Sequence, residues 1–479
     1  MPPSGAFAFG PFVLDGGATR LLRDGVAMSL TDRQFVVLYE LVSHAGAVVL
    51  KDDLVRAAWP DTAVGDNSLA QAMSQIRGAL DPADSRRYIE NRMGRGYVFV
   101  APVTPVDVPQ SAEEIAARLA PYRALLEGRA GIESLVRAHV DRARATFEHL
   151  LRGDPLDAAS HVGLVNACAL QFESTRADPA PDREALRLAL AHAHEACRLK
   201  NDYAEAYATL GFVLTCARRQ DEAIAALRHA IRLQPTNWTH HLRLAAASWG
   251  EQRLRAAERT VELFPGCVLT RWLAATVYVG RGALGEAERE VAAGLAALAV
   301  TPGASPPFLP VALYWLSGLL HFAQGRASEA IAAFERELAI ETTGHIYARE
   351  MCANVWYAMG ACRLASGDVP AARDAFAETL VRIPHHPLAL AGLAIVDRAP
   401  DAPTIDVAAP IVIEVTMARA ARLVAAGDTA GAARIVHEAL IAAPPGNAGW
   451  LIPLDPLLGV ARDRNAWRDV LALLGTRAC

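Results

Sequence analysis

The sequence predicts a two-part chain: a small α/β module followed by an all-α array of helical hairpins. Three observations carry that division. The first hundred residues mix short alternating runs, turn signals and amphipathic stretches. They close on Asn91-Arg92-Met93-Gly94-Arg95-Gly96-Tyr97-Val98-Phe99, two glycines flanking an arginine ahead of an aromatic-apolar run. That pattern is a tight β-hairpin whose tip presents one cation. Next, residues 103–112 hold Pro105 and Pro109 with no helical period, which predicts an extended, semi-rigid linker. From Ala112 onward the chain becomes rich in Ala, Leu, Arg and Glu, with a repeat of about 34 residues. The predicted units are thus 1–102, a linker at 103–112, and 113–479.

Within the module, Phe7 to Leu14 alternates and turns at Gly10-Pro11, as short strands do. Leu21-Leu22-Arg23-Asp24-Gly25-Val26 carries the Asp-Gly signal of a hairpin. Thr31 is an N-cap with Gln34 three residues on, a capping box. The helix it opens buries Phe35, Leu38, Leu41 and Val42 at helical spacing and ends at Ala45-Gly46. Lys51-Asp52-Asp53 opens a second helix, which carries Leu54, Val55 and Trp59 and stops at Pro60. Asp66 or Asn67 caps a third, with Leu69, Met73, Ile76 and Leu80 as its buried stripe. The opposite face holds Asn67, Gln71, Ser74, Gln75 and Gly78 and is polar but nearly uncharged. Asn and Gln can bond bidentately to adenine in the major groove, and Ser to several bases. The plain alternative is a solvated helix face.

The order of strands, three helices and hairpin resembles the winged helix-turn-helix output domain of the OmpR/PhoB response-regulator family. The resemblance covers residues 7–101. It is carried by Leu30-Thr31, Phe35, Leu38, Leu41, Gly46, Leu54, Trp59, Asn67-Ser68-Leu69, Ile76-Arg77, Leu80, Tyr88-Ile89-Glu90 and Gly94-Arg95-Gly96-Tyr97. It implies that Asn67 to Leu80 is a recognition helix for double-stranded DNA and that Arg95 reaches from the wing toward the minor groove. Thr31, Ser68, Arg77, Arg86, Arg87 and Arg92 would then lie near phosphates. The departures matter. Family members often carry several cations on this helix, and here Arg77 stands alone. Residues 1–101 hold ten Lys or Arg against eleven Asp or Glu. Phosphate neutralisation supplies most non-specific affinity, so one copy is expected to bind weakly and salt-sensitively. Two copies on repeated half-sites, as in a homodimer, or a partner would raise it. No receiver domain or phospho-acceptor aspartate precedes the module, so phosphorelay control is not expected.

The array repeats a frame of large residues set over small ones. Tyr207, Leu210-Gly211, Ala223, Leu227, Ala230 and Pro235 fall at the offsets of a tetratricopeptide repeat. Trp356, Gly360, Ala372, Phe376 and Pro384 make a second copy, and Tyr314, Gly318, Ala330 and Phe334 a third. The segment resembles the tetratricopeptide-repeat superfamily, which implies a right-handed α-solenoid of about eight to ten helix pairs that binds along its concave surface. Insertions at Glu173 to Asp182, Val300 to Pro310 and Ala399 to Pro410 are expected to be loops, and Trp450 to Leu474 to cap the last repeat. Trp238, Trp249, Trp272, Tyr278, Trp315, Trp356, Tyr357 and Trp450 read mainly as repeat core, with a few left to line a ligand groove.

Composition excludes other classes. A net charge of −5 gives no whole-molecule field for nucleic acid or anionic lipid. Seven scattered cysteines lack any C-x-x-C pair and read as reduced, cytoplasmic core residues. No apolar run is long enough to span a membrane. His192 and His194 lie on different helix faces, and His240-His241 and His385-His386 lack metal-ligand spacing. Gly280-Arg281-Gly282-Ala283-Leu284-Gly285 fits a dinucleotide fingerprint by letters only, with no strand before it. Neither metal nor cofactor is expected, and no constellation points to an enzyme. The expectation is a bacterial one-component transcriptional regulator whose array senses a protein, peptide or small ligand. The rival is an interaction scaffold whose winged helix docks protein instead of DNA.

Overall fold

The computed structural model describes residues 5–59, 66–81, 87–92, 95–106, 112–299, 311–398 and 412–479. It forms two compact units, Met1–Pro121 and Tyr122–Cys479.

The first unit starts with strands β1 (Ala6–Phe9), β2 (Phe12–Asp15), β3 (Arg20–Arg23) and β4 (Val26–Met28). Gly10 turns the β1–β2 hairpin with φ +53°, and Asp24 and Gly25 turn the β3–β4 hairpin with φ +49° and +82°, the two left-handed positions of a type I′ turn. Helix α1 (Asp32–Ser43) follows, with the expected capping box complete: Gln34 N–H donates to Thr31 Oγ1 and Thr31 N–H to Gln34 Oε1. Then come β5 (Val48–Leu50), α2 (Lys51–Ala58), α3 (Asp66–Leu80), β6 (Ile89–Arg92), β7 (Gly96–Phe99) and β8 (Thr104–Val106). The sheets run β4-β3-β2-β1-β8 and β5-β7-β6. Phe35, Leu38, Leu41 and Val42 of α1 and Leu69, Met73, Ile76 and Leu80 of α3 share one core with Phe9, Phe12, Tyr88 and Phe99. The Phe9 and Phe99 rings, 4.9 Å apart, join the two sheets.

Two strands differ from the sequence reading. Thr104–Val106, read as linker, pairs antiparallel with β1, Ala6 opposite Val106. Pro105 is compatible with pairing because β8 is an edge strand, where a missing N–H costs no ladder bond. The other is β5, three residues paired with β7 through Val49 and Tyr97. It also explains the second glycine of the wing: a Cβ on Gly96 would lie 2.0 Å from the Val49 carbonyl oxygen. Close approach of backbone, not turn geometry alone, demands glycine there.

Helices α4 (Ala112–Glu133) and α5 (Arg137–Gly153) lead into a tetratricopeptide-type α-solenoid. Six consecutive hairpins follow: α6 (Ala158–Thr175) with α7 (Arg183–Leu199), α8 (Ala204–Cys216) with α9 (Gln220–Leu233), and α10 (Trp238–Ala247) with α11 (Gly250–Leu263). Then come α12 (Val268–Gly280) with α13 (Leu284–Ala299), α14 (Leu313–Ala323) with α15 (Ala327–Leu338), and α16 (Ala348–Ala365) with α17 (Val369–Arg382). Next are α18 (Pro387–Val396), the hairpin α19 (Val412–Ala425) with α20 (Thr429–Ala442), and α21 (Arg468–Arg477). The predicted interlock is present: a Cβ on Gly211 would lie 2.4 Å from Leu227 Cγ. Phe376, fully buried, fits between Gly360 and Gly392 of two different helices. A second repeated device is polar. His161 Nε2 donates to the Pro155 carbonyl and His241 Nε2 to the Pro235 carbonyl, each six residues back, tying a helix to the turn that precedes it.

First helices of neighbouring hairpins touch, α6 with α8 and α8 with α10, so they form the inner row of the curve. The array also closes on itself. Ile346 N–H donates to the Leu135 carbonyl and Arg137 N–H to the Gly344 carbonyl, while Arg176 pairs with Glu350 at 2.9 Å. The C-terminal segment does more than cap the last hairpin. Trp450 meets Trp272 and Trp315 edge-on at 6.2 and 6.4 Å. Tyr357 donates its hydroxyl to the buried Asp455 at 2.9 Å, and Arg281 Nε donates to the Ala478 carbonyl at 2.9 Å. The segment therefore lies across first helices α12, α14 and α16, and three aromatics considered for a ligand groove are spent on it. The expected loop at Glu173 to Asp182 is shorter than read, because α6 continues to Thr175. The other two predicted insertions, 300–310 and 399–410, lie outside the described residues, as Val300 and Ala399 do. No helix among the described residues is long and apolar enough to cross a membrane.

Candidate nucleic-acid interface

Helix α3 is amphipathic, and burial of its stripe against α1 and the sheets fixes which side faces out. Gln71, Ser74, Gln75 and Gly78 are exposed, and Ser68 is half-buried. Asn67 begins the helix, but its side chain lies outside the described residues, as does Arg86. The outward surface is thus short and hydrogen-bonding, without a carboxylate among the described side chains.

Two side chains fix α3 against its neighbours. Gln34 Nε2, from the first turn of α1, donates to Gln75 Oε1 at 2.5 Å. Arg77 Nε and Nη2 donate to the Ile89 carbonyl at 3.2 and 2.9 Å, and the guanidinium lies over the Tyr97 ring at 5.7 Å. Arg77 therefore bonds α3 to both strands of the wing, where the family resemblance places it near phosphate. A guanidinium held by a neutral carbonyl keeps its charge and still adds positive potential at the helix end.

The remaining arginines are unequal. Arg87 pairs with Asp81 at 3.2 Å and lies over Tyr88. Arg92 pairs with Glu90 at 3.0 Å. Both pairs are exposed, where such contacts contribute little and phosphate can displace the carboxylate. Arg95 is exposed beside the wing turn, its N–H donating to the Arg92 carbonyl at 2.9 Å, and no ion pair engages its guanidinium among the described residues. Thr31 is exposed, its Oγ1 occupied by Gln34 N–H, which leaves the hydroxyl proton to donate outward. The structure therefore brings Thr31, Ser68, Gln71, Ser74, Gln75, Arg77, Arg87, Arg92 and Arg95 into one small unit. Sequence reasoning missed Gln34, which it used only as a capping residue. No local signal marks it, because its second partner is 41 residues away.

On the array, groups of acidic, histidine and cysteine residues able to hold a metal ion are absent among the described residues. Burial raises the thiols of Cys168 and Cys197 to about 11 and of Cys352 and Cys362 to about 12. These four are core hydrophobes rather than nucleophiles.

Residues 25–99 match the sequence family described as "Transcriptional regulatory protein, C terminal". The chain is similar to the transcriptional regulator HilA of Salmonella typhimurium (strain LT2), at 33% identity over 103 residues, 22% of this chain and 18% of HilA. It is similar to the sensory transduction protein BceR of Halalkalibacterium halodurans, at 32% identity over 73 residues, 15% of this chain and 32% of BceR. The chain thus spans under a third of the length of these relatives. Among solved structures, the DNA-binding domain of E. coli CadC shares 24% identity and a TM-score of 0.20, covering 22% of this chain and 99% of that one. The human IFIT1 dimer with m7Gppp-AAAA shares 14% identity and a TM-score of 0.48, covering 69% of this chain and 76% of that one. The N-terminal domain is a winged helix-turn-helix of the OmpR/PhoB type.

Proposed function

We propose that the chain is a sequence-specific DNA-binding transcriptional regulator, not an enzyme, whose repeat array senses a ligand or partner in place of a receiver domain. The observation that carries the reading is the exposed face Gln71, Ser74, Gln75 beside a wing whose exposed Arg95 has no ion pair among the described residues, inside the residues that match the regulator family. Gln and Ser supply base-edge contacts in the major groove, and Arg95 a phosphate or minor-groove contact. With Arg77, Arg87 and Arg92 already bonded within the chain, one module holds DNA weakly. Two copies on repeated half-sites supply the rest, and a ligand on the array that changes their spacing changes occupancy. Titrating the full chain on tiled promoter duplexes at low and moderate salt tests this. Selective binding to a subset of tiles supports it, and equal binding to all tiles at both salts rejects it.

The same bonded arginines favour a second reading, in which the winged helix docks protein. Arg95→Ala separates the two: loss of duplex binding supports the regulator. Protein capture that persists in a chain blind to DNA supports docking.

A further inference from the structure

The Gln34–Gln75 contact has a direction. A backbone N–H can only donate. Thr31 N–H donates to Gln34 at 2.9 Å, so the atom receiving it is the amide oxygen Oε1. The other end of that amide is then Nε2, which can only donate, and what it meets on Gln75 at 2.5 Å is the carbonyl oxygen. The orientation of both amides follows from one main-chain group, which is how such ambiguities are settled. Gln75 is exposed on α3, and its remaining polar group is Nε2, which can only donate. A free glutamine reads adenine with both ends of its amide, accepting from N6 and donating to N7. In Gln75 one lone pair of that acceptor is already engaged and the carbonyl is held toward α1, which disfavours the two-ended pose and leaves the amide hydrogens as its readier contact.

Resting on the proposal that α3 reads DNA, we infer that Gln34 sets the polarity of Gln75, so that this position reads a base chiefly through its donors. The matching partner is a major-groove edge with acceptors and no competing amine, best supplied by O6 and N7 of guanine. Three polar groups form the relay: the Thr31 main chain, the Gln34 amide and the Gln75 amide. The capping box thus does two things at once, starting α1 and orienting a side chain on another helix.

Gln34→Glu reverses the relay without dismantling it. Glu keeps the capping box, since one carboxylate oxygen still accepts from Thr31 N–H. The other oxygen can only accept, so Gln75 must turn its amine inward and present its carbonyl outward. The preferred base then becomes one with an exocyclic amine, adenine or cytosine. The added charge weakens binding to every duplex alike, so the readout is a ratio between duplexes differing at one base pair. Full-length wild type is used to select sites from a randomised duplex pool, and the position read by Gln75 is the one that Gln75→Ala flattens. Wild type should favour guanine there about tenfold, and Gln34→Glu should move the preference to adenine or cytosine by about tenfold. Gln34→Met, which frees both ends of Gln75 with no new charge, should favour adenine. An unchanged preference in Gln34→Glu overturns the inference. So does a wild type that favours adenine at that position, or selected sites that Gln75→Ala leaves unaltered; in those cases the DNA-binding proposal stands. Failure of wild type to select any sequence removes the DNA-binding proposal itself.

Discussion

The module and the array each have a hydrophobic core but differ in the contact that sets each apart. In the module, directional polar bonds cross between elements in single copies: Gln34 to Gln75 and Arg77 to Ile89. In the array, volume does the same work many times over, with a glycine or alanine under a large side chain in hairpin after hairpin. Breaking a volume contact should therefore cost stability, and breaking a directional one should cost recognition. The two regions separate what keeps the chain folded from what lets it choose.

The largest test of that separation is Phe376→Ala. The ring fills the gap between Gly360 and Gly392, neither of which can grow to replace it. The expected loss is about 3–5 kcal/mol, read from the urea midpoint, with DNA preference unchanged. An effect below about 1 kcal/mol would show that neighbouring hairpins relax into the space and that volume is not what the array depends on.

Acid should attack the array next. Burial holds the imidazoles of His240, His345 and His386 down at about 4, whereas an unfolded imidazole takes its proton near 6.5. The unfolded chain thus binds more protons through that window, and the array loses stability as pH falls from about 6.5 to 4. By pH 5 the loss is about 2 kcal/mol per histidine. Asp455 acts in the opposite sense. Burial lifts its carboxyl to about 6, so its contribution is full below about 4 and is lost as pH rises through 6, returning about 1 kcal/mol between pH 7 and 5. His386→Asn keeps the helix cap that His386 gives to Ala389 N–H without a titrating group. It should flatten the pH 7-to-5 change by about one histidine.

Arg77→Met and Arg95→Ala sharpen the comparison inside the module. Arg77→Met leaves the Ile89 carbonyl without its cation and should cost about 1–2 kcal/mol of stability. It should weaken DNA binding with the slope against log salt unchanged, because no phosphate contact is lost. Arg95→Ala should leave stability within about 0.5 kcal/mol, lower affinity about tenfold at low salt, and reduce the salt slope by about one. If the two variants exchange these signatures, their roles are reversed.

How much of this was legible depends on how local each feature is. The buried stripes of α1 and α3, the capping box and the Gly211–Leu227 frame could be read because periodicity and offsets are properties of one segment. β5 and β8 could not, since three residues show no alternation and become strands only when β7 and β1 arrive. The site divides the same way. Gln71, Ser74 and Gln75 could be placed on an outward face, and Arg95 on a turn. The bonds that occupy Gln75 Oε1 and Arg77 could not, because their partners come from other elements, and a count of cations does not show which are engaged. The C-terminal segment was read as a cap because only its neighbour in sequence was in view. Trp272, Trp315 and Tyr357 receive it from further back along the chain.

The smallest expected effect concerns one turn. Gly282, Gly325, Gly367 and Gly427 take positive φ between the helices of their hairpins, and Arg218 takes it at φ +58° in theirs. Arg218→Gly should raise stability by about 0.5 kcal/mol, the relief of left-handed backbone less the added freedom of the unfolded chain. A loss instead would show that the Arg218 side chain contributes more than its backbone costs.

The closures at Leu135–Ile346 and Arg281–Ala478 make the array a buckled hoop rather than a spring. An open stack of repeats can stretch elastically and melt from its loose ends. A hoop does neither until a buckle opens, so pulling or warming should meet resistance first and then yield over many helices together. Such an array suits a switch between two settings better than a graded response.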